Sequence, residues 1–432
     1  MKNFKFLSYL LIAASSLVFM QCTSDYQAIP GQDGKDGIDG VDGIDGLDGV
    51  SAQVCIDCHN SSYRGEIQDA YDVSQHANGS SWARGTSGSC ARCHNNQGYI
   101  DYLTGNFYEL DTSGDPNPYL VDEGGIPLRD ENNNLIANPD YNPNYGELPR
   151  DENNRIIYIQ SANWEGYALT TPITCTGCHN PAAGHRSFDF ENDGNDYALR
   201  NINPIDLYID PSITIDMTNA VDPLGLSNTC INCHQPRNQY DVPVGTGDYT
   251  ITSKRFGPHH GPQSTMLEGI LGANIAGSTG YPGRASSPHR TGASCTTCHM
   301  GPTMEIDSRL VGGHTYNPTL STCVECHDTM TEAQFLEISY KGVEKRGGIA
   351  AWSDYWVLEE LLEAKGYIDS SGYVLGQDGI NSASNSNPLV VPVAHAQAIW
   401  NYKTLEEDQS KGVHNPEYTE ALLKNSIEAL QN

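Results

Sequence analysis

One short pattern, Cys-x-x-Cys-His, occurs six times in the 432 residues, as Cys55-Cys58-His59, Cys90-Cys93-His94, Cys175-Cys178-His179, Cys230-Cys233-His234, Cys295-Cys298-His299 and Cys323-Cys326-His327. It uses twelve of the 13 cysteines and leaves Cys22 over. Zinc sites and redox dithiols also use Cys-x-x-Cys. Neither they nor a disulfide framework require a histidine after every second cysteine. The c-type haem attachment sequence requires all three residues, because two thioether bonds hold the porphyrin and the adjoining histidine ligates iron from one face. Six copies imply six haem c groups with their iron.

The composition agrees with a core filled by something other than aliphatic side chains. Only 38 % of residues are hydrophobic, and 24 Tyr stand against 8 Phe. With 43 Gly and 23 Pro, the chain is expected to be mainly α with extensive loops around a haem-packed core. The formal net charge is -30, with 54 Asp and Glu against 24 Lys and Arg. Such a surface repels phosphate backbones and argues against a nucleic-acid partner. It suits a cationic patch on a redox donor or acceptor protein, or a metal-ion acceptor outside the cell.

The N-terminus explains the odd cysteine. Lys2 and Lys5 precede an apolar run from Phe6 to Met20, of signal-peptide length and short for a membrane span. Residues 1–21 are read as the signal and Cys22 as the acylated first residue of an exported lipoprotein, held by lipid at the periplasmic face or cell surface of the outer membrane. Met20 and Gln21 depart from the small residues usual before such a cysteine; the alternative is a secreted protein with a free thiol. Gly-x-Asp then repeats six times between Gly31 and Gly49. The period resembles collagen, but without proline it is read as a charged tether over residues 22–53, with a coil reach of about 30 Å.

Residues 54–432 form the hexahaem domain in this reading. Their first cysteines are separated by 35, 85, 55, 65 and 28 residues, too irregular for a solenoid. Residues 96–174 are read as an insertion. It carries a duplicated segment, Ile126–Ile136 and Leu148–Ile157, whose Asp/Asn turns between apolar pairs predict small β-hairpins. Two oxygen-rich stretches, Asp111 to Asn117 and Asp189 to Asp196, could take calcium, although neither has EF-hand spacing and solvated turns are the simpler reading.

Helical patterns cluster near the motifs and over residues 331–432. Ile67, Ala70, Tyr71 and Ser74 share a face leading to His76. Thr331 and Glu332 open one helix, Trp352 to Leu361 build another ending at Gly366, and Asn415 with Pro416 starts the last. His414 then sits in an exposed place just outside that helix. Six of the 14 histidines belong to the motifs. His76, His185, His259, His260, His289, His314, His395 and His414 remain as candidates for the second axial position. The adjacent pair His259 and His260 can hardly serve one plane, and His395 is set aside as mid-helix. The competing ligands Met217, Met266, Met300, Met304 and Met330 are few, and Met300 and Met304 are expected to pack against a porphyrin. Two imidazoles leave iron at a lower potential than methionine, and iron with both positions filled binds no substrate. Two functions stay open: an electron conduit, or an oxidoreductase acting on a small nitrogen or sulfur compound at an open iron.

Several runs resemble multihaem cytochromes related to nitrite reductase and hydroxylamine oxidoreductase. They are His395 to Lys403, Lys411 to Tyr418, Ser74 to Ala77, Pro258 to Gln263, Ser287 to His289 and Gly312 to Thr315. The resemblance spans most of residues 52–432. It implies a mainly helical fold with haems in parallel and perpendicular pairs, and distal-ligand roles for His76, one of His259 and His260, His289, His314 and His414. The Cys-x-x-Cys-Lys site typical of ammonia-forming nitrite reductases does not occur here.

Overall fold

The computed structural model describes residues 61–86, 88–104, 113–115, 117–121, 127–130, 134–142, 166–179, 197, 199–237, 240–306, 308–339 and 348–432, all within the unit Ala52–Asn432. The signal, Cys22, the tether, the motif Cys55-Cys58-His59, His185, the second copy of the duplicated segment and the stretch 189–196 lie outside the described residues.

Short helices follow one another through most of the chain: α1 (Ser61–Asp72), α2 (Gln75–Asn78), α3 (Gly88–His94), α4 (Asn96–Leu103), α5 (Cys175–Cys178), α6 (Asn228–Ile231), α7 (Gln263–Glu268), α8 (Pro288–Gly292), α9 (Cys295–His299), α10 (Leu320–Val324) and α11 (Glu332–Ser339). Longer ones close it: α12 (Ser353–Ala364), α13 (Val393–Asp408) and α14 (Pro416–Gln431). The strands pair antiparallel in twos: β1 (Ile205–Asp206) with β2 (Thr214–Ile215), β3 (Asp248–Ile251) with β6 (Leu389–Pro392), and β4 (Met304–Ile306) with β5 (Arg309–Val311). Among the described residues no helix is long and apolar enough to cross a membrane.

Local chemistry sets the boundaries. The face Ile67, Ala70, Tyr71, Ser74 does not run on to His76 as one helix. The buried Ser74 hydroxyl accepts from the Ala77 N–H at 3.2 Å, which caps α2 and breaks it from α1. Thr331 and Gln334 form a reciprocal capping box on α11. Within the insertion, the Asp130 carboxylate accepts from the Asn134 N–H at 2.8 Å, and bridges Arg129 to Leu135 and Tyr119 to Ala137 pair the flanks antiparallel. The first copy of the duplication is thus hairpin-like. Asp115 accepts from the Asn117 N–H at 2.8 Å, as an Asx turn does.

The largest core belongs to α12, α13 and α14. Trp400 is fully buried with Phe256 at its edge, and the Tyr355 ring stacks between Trp352 at 4.6 Å and Tyr402 at 5.0 Å. Each such aromatic pair contributes about 0.5–1.5 kcal/mol beyond its buried area. Asn401, also fully buried, accepts from the Ala273 N–H and donates to the Ala273 carbonyl and to Ser426, tying the loop after α7 to α13 and α14. Around the motifs the apolar clusters are smaller: Ile205, Leu207, Ile215, Met217, Ile231 and Leu267 beside Cys295; Ala91, Tyr99 and Tyr102 in one further place; and last Ile306, Val311 and Phe335. Met304 packs against the last of these clusters.

Candidate haem-binding site

Each described motif coils as a single helical turn. The His179, His234 and His327 N–H groups donate to the carbonyls of Cys175, Cys230 and Cys323 at 2.8–2.9 Å. Positions i, i+3 and i+4 of such a turn share a face, so both sulfurs and the imidazole project together.

The non-motif histidines are held by equally local devices. Ser287 caps α8 with Pro288 at its first position, which fixes His289 in the first turn. Asn415 caps α14 and accepts from the Tyr418 N–H, so His414 precedes a rigid start. His314 lies in a 3-10 turn, Gly313–Thr315, entered through Gly312 at φ 82°.

Four pairs of rings face one another. His76 and His234 have centres 6.1 Å apart, His179 and His314 6.3 Å, His289 and His327 6.1 Å, and His299 and His414 6.3 Å. Every pair joins one motif histidine to one non-motif histidine. Two imidazoles on opposite sides of one metal ion, with bonds of about 2.0 Å, place their ring centres roughly 6.4 Å apart. The residues therefore fit a metal between each pair. Direct ring contacts span about 4.5–7 Å, so it is the composition of the four pairs, each one motif and one non-motif histidine, that points to metal. Among the described residues no group of three or more His, Cys, Asp or Glu side chains gathers as a closed zinc site would need.

The tautomers suit this arrangement. His179, His289 and His299 each place Nδ1 against a backbone carbonyl, those of Tyr197 at 2.8 Å, Val413 at 2.6 Å and Tyr316 at 2.9 Å. A carbonyl only accepts, so Nδ1 carries the proton and Nε2 keeps its lone pair. His234 Nδ1 meets the Gln263 amide oxygen at 3.3 Å. His414 Nδ1 meets the buried Asp408 carboxylate at 2.6 Å, and His260 Nδ1 meets Glu407. Burial, with His234 beside it, lowers His76 to about 4; burial, with His414 beside it, lowers His299 to about 4. Both rings are neutral at pH 7, the form that ligates metal. Burial pulls His414 down, but Asp408 outweighs it and raises that imidazole.

Two expectations need correction. His414 is not exposed: its side chain keeps 21 % of its accessible surface and is bound to Asp408. His395 is not mid-helix but third in α13, where its Nδ1 bonds the Tyr367 hydroxyl at 2.8 Å.

Neighbouring motifs touch. Cys93 Sγ lies 3.8 Å from the Asn232 carbonyl and Cys233 Sγ 3.7 Å from that of Arg92. The turns that carry Cys230 and Cys295 are joined by 3.1 Å hydrogen bonds between Ser227 and Thr296. Asp408, Glu407, Gln263 and Tyr316, which orient the histidines, are not apparent in the sequence. Acidic residues flanking Lys411 to His414 are its nearest signal.

No family description and no curated protein matches the chain. Among solved structures, the outer cell wall cytochrome OcwA aligns with a TM-score of 0.39 at 15 % identity, over 84 % of this chain and 50 % of its own. An undecahaem cytochrome from the S-layer of Carboxydothermus ferrireducens aligns with a TM-score of 0.34 at 18 % identity, over 61 % and 32 %. The chain thus spans half or less of the length of these two structures. The histidine geometry, and not this likeness, bears on function.

Proposed function

We infer that this chain is a multihaem c-type cytochrome that transfers electrons through six covalently bound haems, most held between two histidines, in an exported lipoprotein. The carrying observation is the four ring pairs at 6.1–6.3 Å, each made from one motif and one non-motif histidine. On this reading His76, His314, His414 and His289 serve the haems linked at Cys230, Cys175, Cys295 and Cys323 respectively, supported by the ring pairs.

Bound haem iron supplies a one-electron redox centre. The chain's own residues hold the imidazoles neutral, fix their tautomers through backbone carbonyls and carboxylates, and bring motif to motif. The approach of Cys93 and Cys233 to the Asn232 and Arg92 carbonyls links the second motif to the fourth, and the bond between Ser227 and Thr296 links the fourth to the fifth. His289 donates to the carbonyl of the residue preceding His414, which links the sixth to the fifth. The second, fourth, fifth and sixth motifs are thereby linked without a break, as hopping requires. Kinship with the nitrite reductase and hydroxylamine oxidoreductase group, attachment through Cys22 and an extracellular or protein redox partner belong to the same reading.

One site favours a second reading. Among the described residues no histidine ring faces His94 at the separation of the four pairs. His259 and His260 lie nearby, His260 bonds Glu407, and Arg84 and Arg237 add positive charge beside His94. Such surroundings suit a small anion, as an oxidoreductase for a nitrogen or sulfur oxyanion would need. Electron paramagnetic resonance of the ferric holoprotein separates the two. Six low-spin irons support the conduit, and a high-spin iron that changes on adding nitrite or hydroxylamine supports the enzyme. A mass equal to the bare polypeptide overturns both.

A further inference from the structure

Tyr316 is a bulky residue in a left-handed conformation, at φ 57°. Only glycine, and to a lesser degree asparagine or aspartate, occupies this region without a steric penalty. A side chain kept there is held by its surroundings, and such outliers concentrate at functional sites. Three different histidine pairs meet around it. Its ring centre is 4.6 Å from that of His76, edge-on, and 5.9 Å from that of His314. Its carbonyl accepts from His299 Nδ1 at 2.9 Å. The left-handed turn at the end of Gly313–Thr315 is where the ring and the carbonyl of one residue reach these different partners.

We propose that Tyr316 is a positioning residue at a three-way junction, where the haems linked at Cys175, Cys230 and Cys295 converge. Its ring sets the orientation of His76 and His314, and its carbonyl sets that of His299. This rests on the histidine-pair reading. The junction makes the electron path branched: the site of His234 and His76 adjoins those of His179 with His314 and of His299 with His414. Burial, with Cys178 and Cys230 nearby, raises the Tyr316 phenol, so the ring stays neutral and acts through shape and packing.

The test uses the full-length ferric holoprotein, because the resonance of a low-spin haem depends on the angle between its two imidazole planes. That angle is 67° for His76 with His234, 37° for His179 with His314 and 48° for His299 with His414. Tyr316→Asn keeps the carbonyl, tolerates the left-handed backbone and removes the ring. It should shift one or two of the low-spin signals while haem content by mass stays at the wild-type value and the other signals superimpose. Tyr316→Phe should superimpose on wild type throughout. Tyr316→Gly, which relieves the backbone strain, carries the same expectation as Tyr316→Asn and serves if that variant does not accumulate. Superimposable spectra for wild type and ring-less variants overturn the inference, as does a Tyr316→Phe shift as large as that of Tyr316→Asn. A wild-type protein without low-spin signals would instead refute the histidine-pair reading itself.

Discussion

Glu268, on α7, is 3 % exposed and takes a guanidinium on each oxygen, from Arg290 and Arg284, both at 2.7 Å. The two cations differ in what water can do for them: the Arg290 side chain is 9 % exposed and the Arg284 side chain 47 %. Removing one partner from a buried pair leaves an uncompensated charge and costs about 3–5 kcal/mol. An exposed pair contributes about 0.2–1 kcal/mol. Glu268→Ala should therefore lower stability by about 3–5 kcal/mol and Arg284→Ala by about 1 kcal/mol or less. Urea unfolding of the haem-loaded chain reads both, with an unchanged slope confirming that only stability has moved. Because Arg290 follows His289 in α8, Glu268→Ala should also loosen that ring and give a high-spin fraction at the haem linked at Cys323 and Cys326. Equal losses for the two variants, or a Glu268→Ala loss of about 1 kcal/mol or less, would show that burial does not set the strength of this cluster.

Other outcomes are expected from the same geometry. Asp408→Asn keeps the volume but removes the carboxylate facing His414 Nδ1, so the potential of the haem between His299 and His414 should rise in a spectroelectrochemical titration; an unmoved potential would mean that the carboxylate does not act on the ring. Cys22→Ser should move the protein from the membrane to the soluble fraction, and continued partition with membranes would remove the lipid anchor from the reading. Reduction by a soluble cationic donor should slow as salt rises, given the net charge of -30; a rate indifferent to ionic strength would eliminate steering.

The motifs are legible in the sequence because the proposed attachment chemistry would need its three residues within one local pattern, whereas the non-motif histidines are legible only by counting what the motifs leave over. A local pattern also exposes Asn415 and Pro416 at the start of α14 and Thr331 before α11, where a cap is a property of three or four consecutive residues. The facing of His76 with His234 is not legible, since it joins positions far apart in the chain and no periodicity records which motif a distant ring will meet. The break between α1 and α2 escapes the pattern because the apolar face continues through Ser74, while the serine hydroxyl bonds the backbone instead of prolonging the helix. Polar neighbours make His414 look exposed. Asp408, six residues earlier, buries it by supplying the partner its Nδ1 needs.

On the proposed reading, the meeting of the second and fourth motifs at Cys93 and Cys233 bears on how such a protein would be made. Bare thiols brought that near would, on exchange with an external disulfide that is reduced to its dithiol, form a bridge blocking both proposed attachment sites. A haem-loaded form would then need porphyrin ligated onto an open, reduced polypeptide before the fold brings those sulfurs together. On that reading loading has an order, and a chain that closes too early would be a dead-end product.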